Sequence, residues 1–382
     1  MSYLGPAFFV ALCLVLAVST PDAEAQAPQP SANSTRLEVE TVGRQQILLK
    51  SGHHGLAYFP DEGICVLNKQ PLTFLLVAGN VTWLMQGPSW SSAKPVQKVL
   101  EPSADGPDNG YAGIGAVHID RKNKKVYAFY HAEDQKGYQK LEYNGVQNFM
   151  ASICLAESTL DGRKFERRGP VLTTFQEKNP RATQPQGVAD VTVCPSHDGQ
   201  YLYAWYTDHS RDGNRGVQIC LARSPISDRG KPGTWKKWHR GEFNEPGLGG
   251  RETPVLSMRE AGADAWAPNV VYIPECRRYV MVFNATVYAD FKQGAKPAGG
   301  IRFAHSSDGI RWSKPTELVT AMGVPVPGKE CAIHPTFIVT RAADKFVEGT
   351  LLYGYSPKWG HTAQEPSHHL ANRSVRLKVV TD

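Results

Sequence analysis

Asp190 follows the turn-rich run Gln184-Pro185-Gln186-Gly187-Val188-Ala189 and opens a strongly apolar stretch through Pro195. A carboxyl group there either caps neighbouring backbone or faces a pocket as a reactive group. Glu252 lies in Pro246-Gly247-Leu248-Gly249-Gly250-Arg251-Glu252-Thr253-Pro254, the most glycine-dense part of the chain. Such backbone permits close approach to a ligand; the competing reading is a surface loop carrying an Arg251–Glu252 pair. Asp61 and Glu62 are adjacent, just ahead of the apolar Ile64-Cys65-Val66-Leu67. Cleaving a glycosidic bond takes one carboxyl that protonates the leaving oxygen and a second that activates water or attacks carbon. Asp190, ionised, fits the base, and Glu252, kept protonated by its surroundings, fits the acid. Asp61 or Glu62 then supplies a third acid.

Around these acids stand polar and aromatic groups suited to holding a sugar. His334 precedes Pro335, His131 is followed by Glu133 and Asp134, Asp208 precedes His209, and His54 lies between Gly52 and Gly55. Together with Arg251, Asn269 and Trp266 they form the expected substrate-binding set. For His131 and Asp208 a hydrogen bond within the local loop is the alternative. Trp266 and Trp359 lie in loop-like contexts as stacking platforms, whereas Trp205, inside a strand, reads as core. No His/Asp/Glu trio has metal-ligand spacing, so neither a metal nor a cofactor is expected. Serine-nucleophile, phosphate-cradling and dinucleotide patterns are missing.

These residues are positioned by a pattern that returns along the chain. A short apolar strand, a tight turn and an aromatic-rich strand recur at 115–131, 190–206 and 269–283. Such self-similarity is the mark of a radial repeat. Alternation and turn chemistry give five units of three or four strands, with no helical periodicity held for three turns. The fold expected is all-β, a five-bladed β-propeller spanning 37–382. The fifth unit lacks an outer strand, and 37–42 has the pattern to supply it and close the ring. Aligning the units on their turns makes Gly63, Gly115, Asp190, Asn269 and Pro335 equivalent. Ser306-Ser307-Asp308-Gly309 and the segment around Asp161-Gly162 are turns between outer strands, and their acids are structural.

The five-fold repeat, the turn Ser306-Ser307-Asp308-Gly309-Ile310-Arg311-Trp312 and the strand opening Trp266-Ala267-Pro268-Asn269 resemble the five-bladed glycoside hydrolases, in particular the arabinanase/β-xylosidase-like group, glycoside hydrolase family 43, and relatives. The resemblance implies a pocket on the propeller axis with a base, a pKa-tuning Asp and an acid Glu. Asn269 stands where Trp-Ala-Pro is often followed by Asp in that group. Two alternatives therefore stay open: a carbohydrate-binding propeller without catalysis, and a lyase or sialidase-like enzyme for acidic sugars, suggested by Arg251 and the basic balance of charge.

Composition sets further bounds. Residues 7–18 form an apolar run too short for a bilayer, followed by Pro21 and the triplet Ala23-Glu24-Ala25. Residues 1–25 thus read as an export signal and 26–36 as a flexible leader, giving a secreted or periplasmic protein with no membrane contact once the signal is cleaved. The net charge of +6 is dispersed, without the basic-aromatic clustering of a nucleic-acid binder. The expected partner is a carbohydrate substrate, and the chain is expected to be a monomer. Six cysteines outside the signal, with no C-x-x-C pair, permit disulfides without requiring them.

Overall fold

The computed structural model describes residues 35–141, 145–210, 216–287, 298–359 and 368–381. Residues 1–25, expected to be an export signal, and most of the expected leader lie outside this range. The described chain is built from strands, with one short helix, α1 (Met258–Ala261), closed at its start by a Ser257–Glu260 capping box. No described helix is long and apolar enough to cross a membrane.

The strands fall into consecutive antiparallel groups. Two strands come first, β1 (Thr35–Val42) and β2 (Gln46–Leu49). Then follow β3 (Cys65–Lys69), β4 (Leu72–Ala78), β5 (Val81–Gly87) and β6 (Lys94–Leu100). The next group is β7 (Tyr111–Asp120), β8 (Lys125–Asp134), β9 (Met150–Thr159) and β10 (Glu166–Leu172). After it come β11 (Gln186–Pro195), β12 (Tyr201–Asp208), β13 (Gln218–Pro225), β14 (Lys236–His239) and β15 (Glu242–Pro246). A further group holds β16 (Asp264–Ile273), β17 (Arg278–Thr286), β18 (Gly300–Ser306) and β19 (Thr316–Thr320). The last holds β20 (Cys331–Ala343), β21 (Phe346–Ser356) and β22 (His369–Thr381). β1 and β2 both pair with β22, so the N-terminal segment 37–42 does supply an outer strand to the C-terminal sheet. The strands β2 and β15 have no counterpart among those expected from sequence.

The first three groups are not separate sheets. Short parallel pairings, Val81 with Ala112 and Gln186–Gly187 with Met150–Ala151, join them into one thirteen-stranded network. Elsewhere the innermost strands are tied by side chains. Thr336 Oγ1 accepts from Ile64 N–H at 2.8 Å, Asn269 Oδ1 from Phe337 N–H at 2.9 Å, and Thr192 Oγ1 from Val270 N–H at 3.2 Å. Each bond joins the backbone of one strand group to a side chain of another. Apolar clusters fill the spaces between adjacent groups; one packs Phe129, Trp235 and Tyr206 between the second and third.

Turn-based alignment of the inner strands fails, by two residues in β16 and by one in β20. β11, β16 and β20 each carry one extra residue, between Ala189 and Thr192, Trp266 and Asn269, and Ile333 and Thr336. In every case the bulged residue is left-handed: Asp190 at φ 43°, Ala267 at 48°, His334 at 52°. The structural equivalents of Asp190 are therefore Ala267 and His334, not Asn269 and Pro335. A bulge re-aims a side chain, and a non-glycine residue is held at positive φ only where its surroundings impose it.

Candidate functional site

Two of the three bulged residues, Asp190 and His334, line a cavity of about 740 Å³. Asp61 from the segment before β3, His131 and Glu133 from β8 and Trp266 from β16 line it as well. Glu62 lies just beneath, 2 % exposed, and its Oε1 is hydrogen-bonded to His131 Nδ1 at 2.8 Å. Gly115 makes this possible, since a Cβ there would stand 2.8 Å from both Glu62 Oε2 and the Val191 carbonyl oxygen.

His131 is the centre of the cluster. Its Nδ1 is 3.9 Å from Asp190 Oδ1, and its Nε2 is 3.6 Å from Glu133 Oε1. Asp190 and Glu133 thus approach different nitrogens of one ring. Asp190 Oδ1 is also 4.0 Å from His334 Nδ1, while His334 Nε2 is 3.5 Å from Asp61 Oδ1. Tyr111 donates its hydroxyl proton to the Asp61 carbonyl oxygen and packs its ring 5.0 Å from that of His131. Trp266 meets His334 edge to face at 5.3 Å.

Crowding and burial shift these groups unequally. Asp61 and Glu62 are raised well above the ordinary carboxyl range, first by burial and then by the neighbouring acids. Burial pushes Glu133 up to about 7, against the opposing effect of His131 and a 2.6 Å hydrogen bond from Gln135 Nε2. Asp190 is raised by burial too, but His131, the Thr207 hydroxyl and the Ala267 N–H all favour its ionised form. His334, buried against two other imidazoles, is lowered to about 3 and is neutral.

Glu62, His131 and Asp190 each present one atom to a common point, all within 4.8 Å of one another. Two carboxylates and an imidazole are donors a divalent cation accepts. In the arrangement observed, the His131–Glu62 hydrogen bond already engages two of the three. The sequence shows no such spacing because the residues come from three different strand groups.

Several expected site residues lie elsewhere. Glu252 does not reach the cavity: its side chain is 1 % exposed and is clasped by the fully buried Lys237, whose ammonium also donates to the Thr173 and Gly250 carbonyls at 2.8 Å. The glycine-dense loop is shaped around that lysine, not around a ligand. Arg251 lays its guanidinium over the Phe175 ring at 4.2 Å. Asp208 is 1 % exposed and accepts from Ser210 and Gln218. Asn269 carries the inter-strand bond to Phe337, and His54 sits exposed against His53. None of these five lines the cavity.

Conversely, Glu133 was not among the expected catalytic acids. Its signal was the i, i+2 spacing to His131, which places both side chains on one face of β8. Trp359 lines the cavity, and Trp205 is buried with its indole N–H donated to Gly309. Asp308 accepts from the Ile310 and Arg311 amides at 2.8 Å, a turn-forming role. The six cysteines of the described residues are unbridged.

No protein-family model matches the sequence, and no curated protein aligns with it significantly. The fold has solved counterparts. An alpha-L-arabinofuranosidase from Lactobacillus brevis superposes with a TM-score of 0.52 at 12 % identity, over 83 % of this chain and 90 % of that one. The catalytic domain of a Coprinopsis cinerea alpha-L-arabinofuranosidase gives 0.51 at 11 % identity, over 87 % and 97 %. An N-acetylgalactosamine deacetylase from F. plautii, in complex with blood group B trisaccharide, gives 0.51 at 12 % identity, over 88 % and 95 %. The expected resemblance is met in the architecture: the chain shares the fold of solved glycoside hydrolases, across most of its length.

Proposed function

We propose that this protein is a secreted glycoside hydrolase acting on a poly- or oligosaccharide, and that its strand groups are the blades of a closed five-bladed propeller. Closure is supported by the inter-strand bonds from Ile64 to Thr336, Phe337 to Asn269 and Val270 to Thr192, with β1 sealing the last sheet. One observation carries the activity: Asp190 and Glu133 reach a single cavity on different sides of His131. Burial raises both carboxyls, Glu133 to about 7, where it still holds the proton an acid needs; Asp190 is raised against the opposing effect of His131, which draws it toward the ionised form a base needs.

Glu133 donates its proton to the leaving glycosidic oxygen as the bond to the anomeric carbon breaks. Asp190 takes a proton from the water that attacks that carbon. Trp266 and Trp359 offer flat faces to the sugar ring, and His334 presents a neutral imidazole for its hydroxyls. Glu62 never meets the substrate and acts by orienting His131. With Arg251 stacked on Phe175, away from the cavity, the feature that favoured acidic sugars is gone.

Asp190→Asn tests this reading. Reducing-end release from arabinan, xylan and galactan should fall by about a thousandfold or more while glycan binding survives. Unchanged turnover removes the base assignment. Binding without turnover by the wild type, on any glycan of the panel, identifies a lectin-like propeller. Chelation should leave the rate intact; loss with EDTA and recovery with a divalent cation would replace carboxylate acid/base chemistry by metal-assisted hydrolysis.

A further inference from the structure

We propose that Gln135 is the positioning residue for Glu133, a role that rests on Glu133 being the acid. Its amide holds one carboxyl oxygen so that the transferable proton stands on the other. Gln135 follows β8 directly, two residues after Glu133, and lines the same cavity. Its Nε2 donates to Glu133 Oε2 at 2.6 Å. An amide NH₂ only donates, so Oε2 is the carbonyl oxygen of the neutral acid and the proton sits on Oε1. Oε1 is 3.6 Å from His131 Nε2, beyond hydrogen-bond reach, which leaves that proton for the substrate. The terminal torsion of a glutamate is broad and roughly two-fold, so the rotamer alone does not choose between the oxygens. When the glycosidic bond breaks, the Oε1–H electron pair stays on the carboxylate. The proton goes to the leaving oxygen, which keeps the pair of its broken bond to carbon. Charge growing on the carboxylate strengthens the bond from Gln135.

Gln135 is itself held from behind. Its backbone N–H donates to Asn109 Oδ1 at 2.9 Å, and Asn109 Nδ2 donates to Asp134 Oδ1 at 2.7 Å, which pins the end of β8. Gly110 N–H donates to the Glu133 carbonyl at 3.0 Å. The Gln135 side chain lies across Gly110: a Cβ there would stand 2.1 Å from Gln135 Cδ and 2.3 Å from its Cγ. Any side chain at position 110 therefore displaces the amide. Asp208, which closes β12, shows a carboxyl held for another purpose. Ser210 N–H donates to its Oδ1 at 2.8 Å, while Ser210 Oγ and Gln218 Nε2 donate to its Oδ2 at 2.8 and 3.2 Å. Both oxygens are taken up there in holding a loop. At Glu133 the described hydrogen bonds engage Oε2 alone.

Substitutions in the full chain test this on two glycosides of one sugar, the 4-nitrophenyl glycoside that the wild type cleaves fastest and its methyl counterpart. The methyl glycoside needs a proton on its leaving oxygen; 4-nitrophenolate departs with far less help. Gln135→Met keeps the length and loses the donor. Its kcat/KM for the methyl glycoside should fall about 10- to 100-fold, the cost of a misaligned acid, with the 4-nitrophenyl value within about threefold of wild type. Gly110→Ala keeps the amide but displaces it, and should show the same selective loss; it carries the test alone if Gln135→Met does not fold. Wild-type rates on both glycosides in either folded variant, beside a Glu133→Gln enzyme impaired on the methyl glycoside, overturn this inference alone. Equal losses on the two glycosides do so as well, since Gln135 would then serve binding or packing. A Glu133→Gln enzyme with the wild-type rate on the methyl glycoside overturns the acid assignment itself, and this inference with it.

Discussion

Two buried glutamates in this molecule are pushed to about the same point and do different work. Glu133 and Glu252 are each raised to about 7, each mainly by burial. Glu133 opens onto the cavity, with only an imidazole at 3.6 Å as a source of positive charge. Glu252 is locked to an ammonium whose other two contacts are backbone carbonyls, and it meets no cavity. A perturbed carboxyl marks a functional site only where a substrate can reach it; the same perturbation elsewhere is a feature of a structural ion pair.

The comparison breaks most sharply at Glu133. Replacing it with Gln should lower kcat by about 10²- to 10⁴-fold, the usual contribution of a general acid, with a thermal midpoint at pH 7 no lower than that of the wild type. Equal activity in that variant would return Glu133 to the structural class. Glu252→Gln should do the reverse. It leaves the Lys237 charge buried without its counter-ion, a loss of about 3–5 kcal/mol by chemical denaturation, while kcat per folded molecule stays at the wild-type value. An activity loss without destabilisation would put Glu252 back in the chemistry.

A smaller effect sharpens the contrast through pH. Glu133 binds its proton more tightly folded, at about 7, than at its unperturbed 4.5. Between those values the folded state holds more protons than the unfolded one, so stability falls as pH rises. The span is worth on the order of 3 kcal/mol at about 1.4 kcal/mol per unit. Activity should have its alkaline limb near pH 7, because the acid must be protonated to work. Urea melts from about pH 4.5 to about 7.5 should show a shallower slope in Glu133→Gln; an unchanged slope would mean that the carboxyl titrates normally.

Much of the architecture was legible because strand alternation and turn residues are local. Val126–His131 and Tyr201–Tyr206 are the continuous apolar runs of strands buried on both faces, and 37–42 carried enough pattern to be matched with the last sheet. Asp190 was legible because a carboxyl opening an apolar strand needs a reason. Asn269 misled because matching the two strands at their turns sets β16 two residues out of register with β11, whose bulge it shares. Glu252 misled for a non-local reason: its glycines serve Lys237, from a strand fifteen residues earlier, not a ligand. Glu133 stood in plain view beside His131. Its role depends on a cavity to which Tyr111, across the ladder, and Asp190, from β11, also contribute.

The acid assignment is tested most directly by changing the leaving group. Wild type and Glu133→Gln should be compared on an alkyl glycoside, whose leaving oxygen needs a proton, and on the corresponding glycosyl fluoride, which needs far less help. With Glu133 as proton donor, kcat/KM for the alkyl glycoside falls by about a hundredfold or more, while that for the fluoride stays within about tenfold of wild type. Equal losses on both substrates would show that Glu133 donates no proton to the leaving group and would contradict the account.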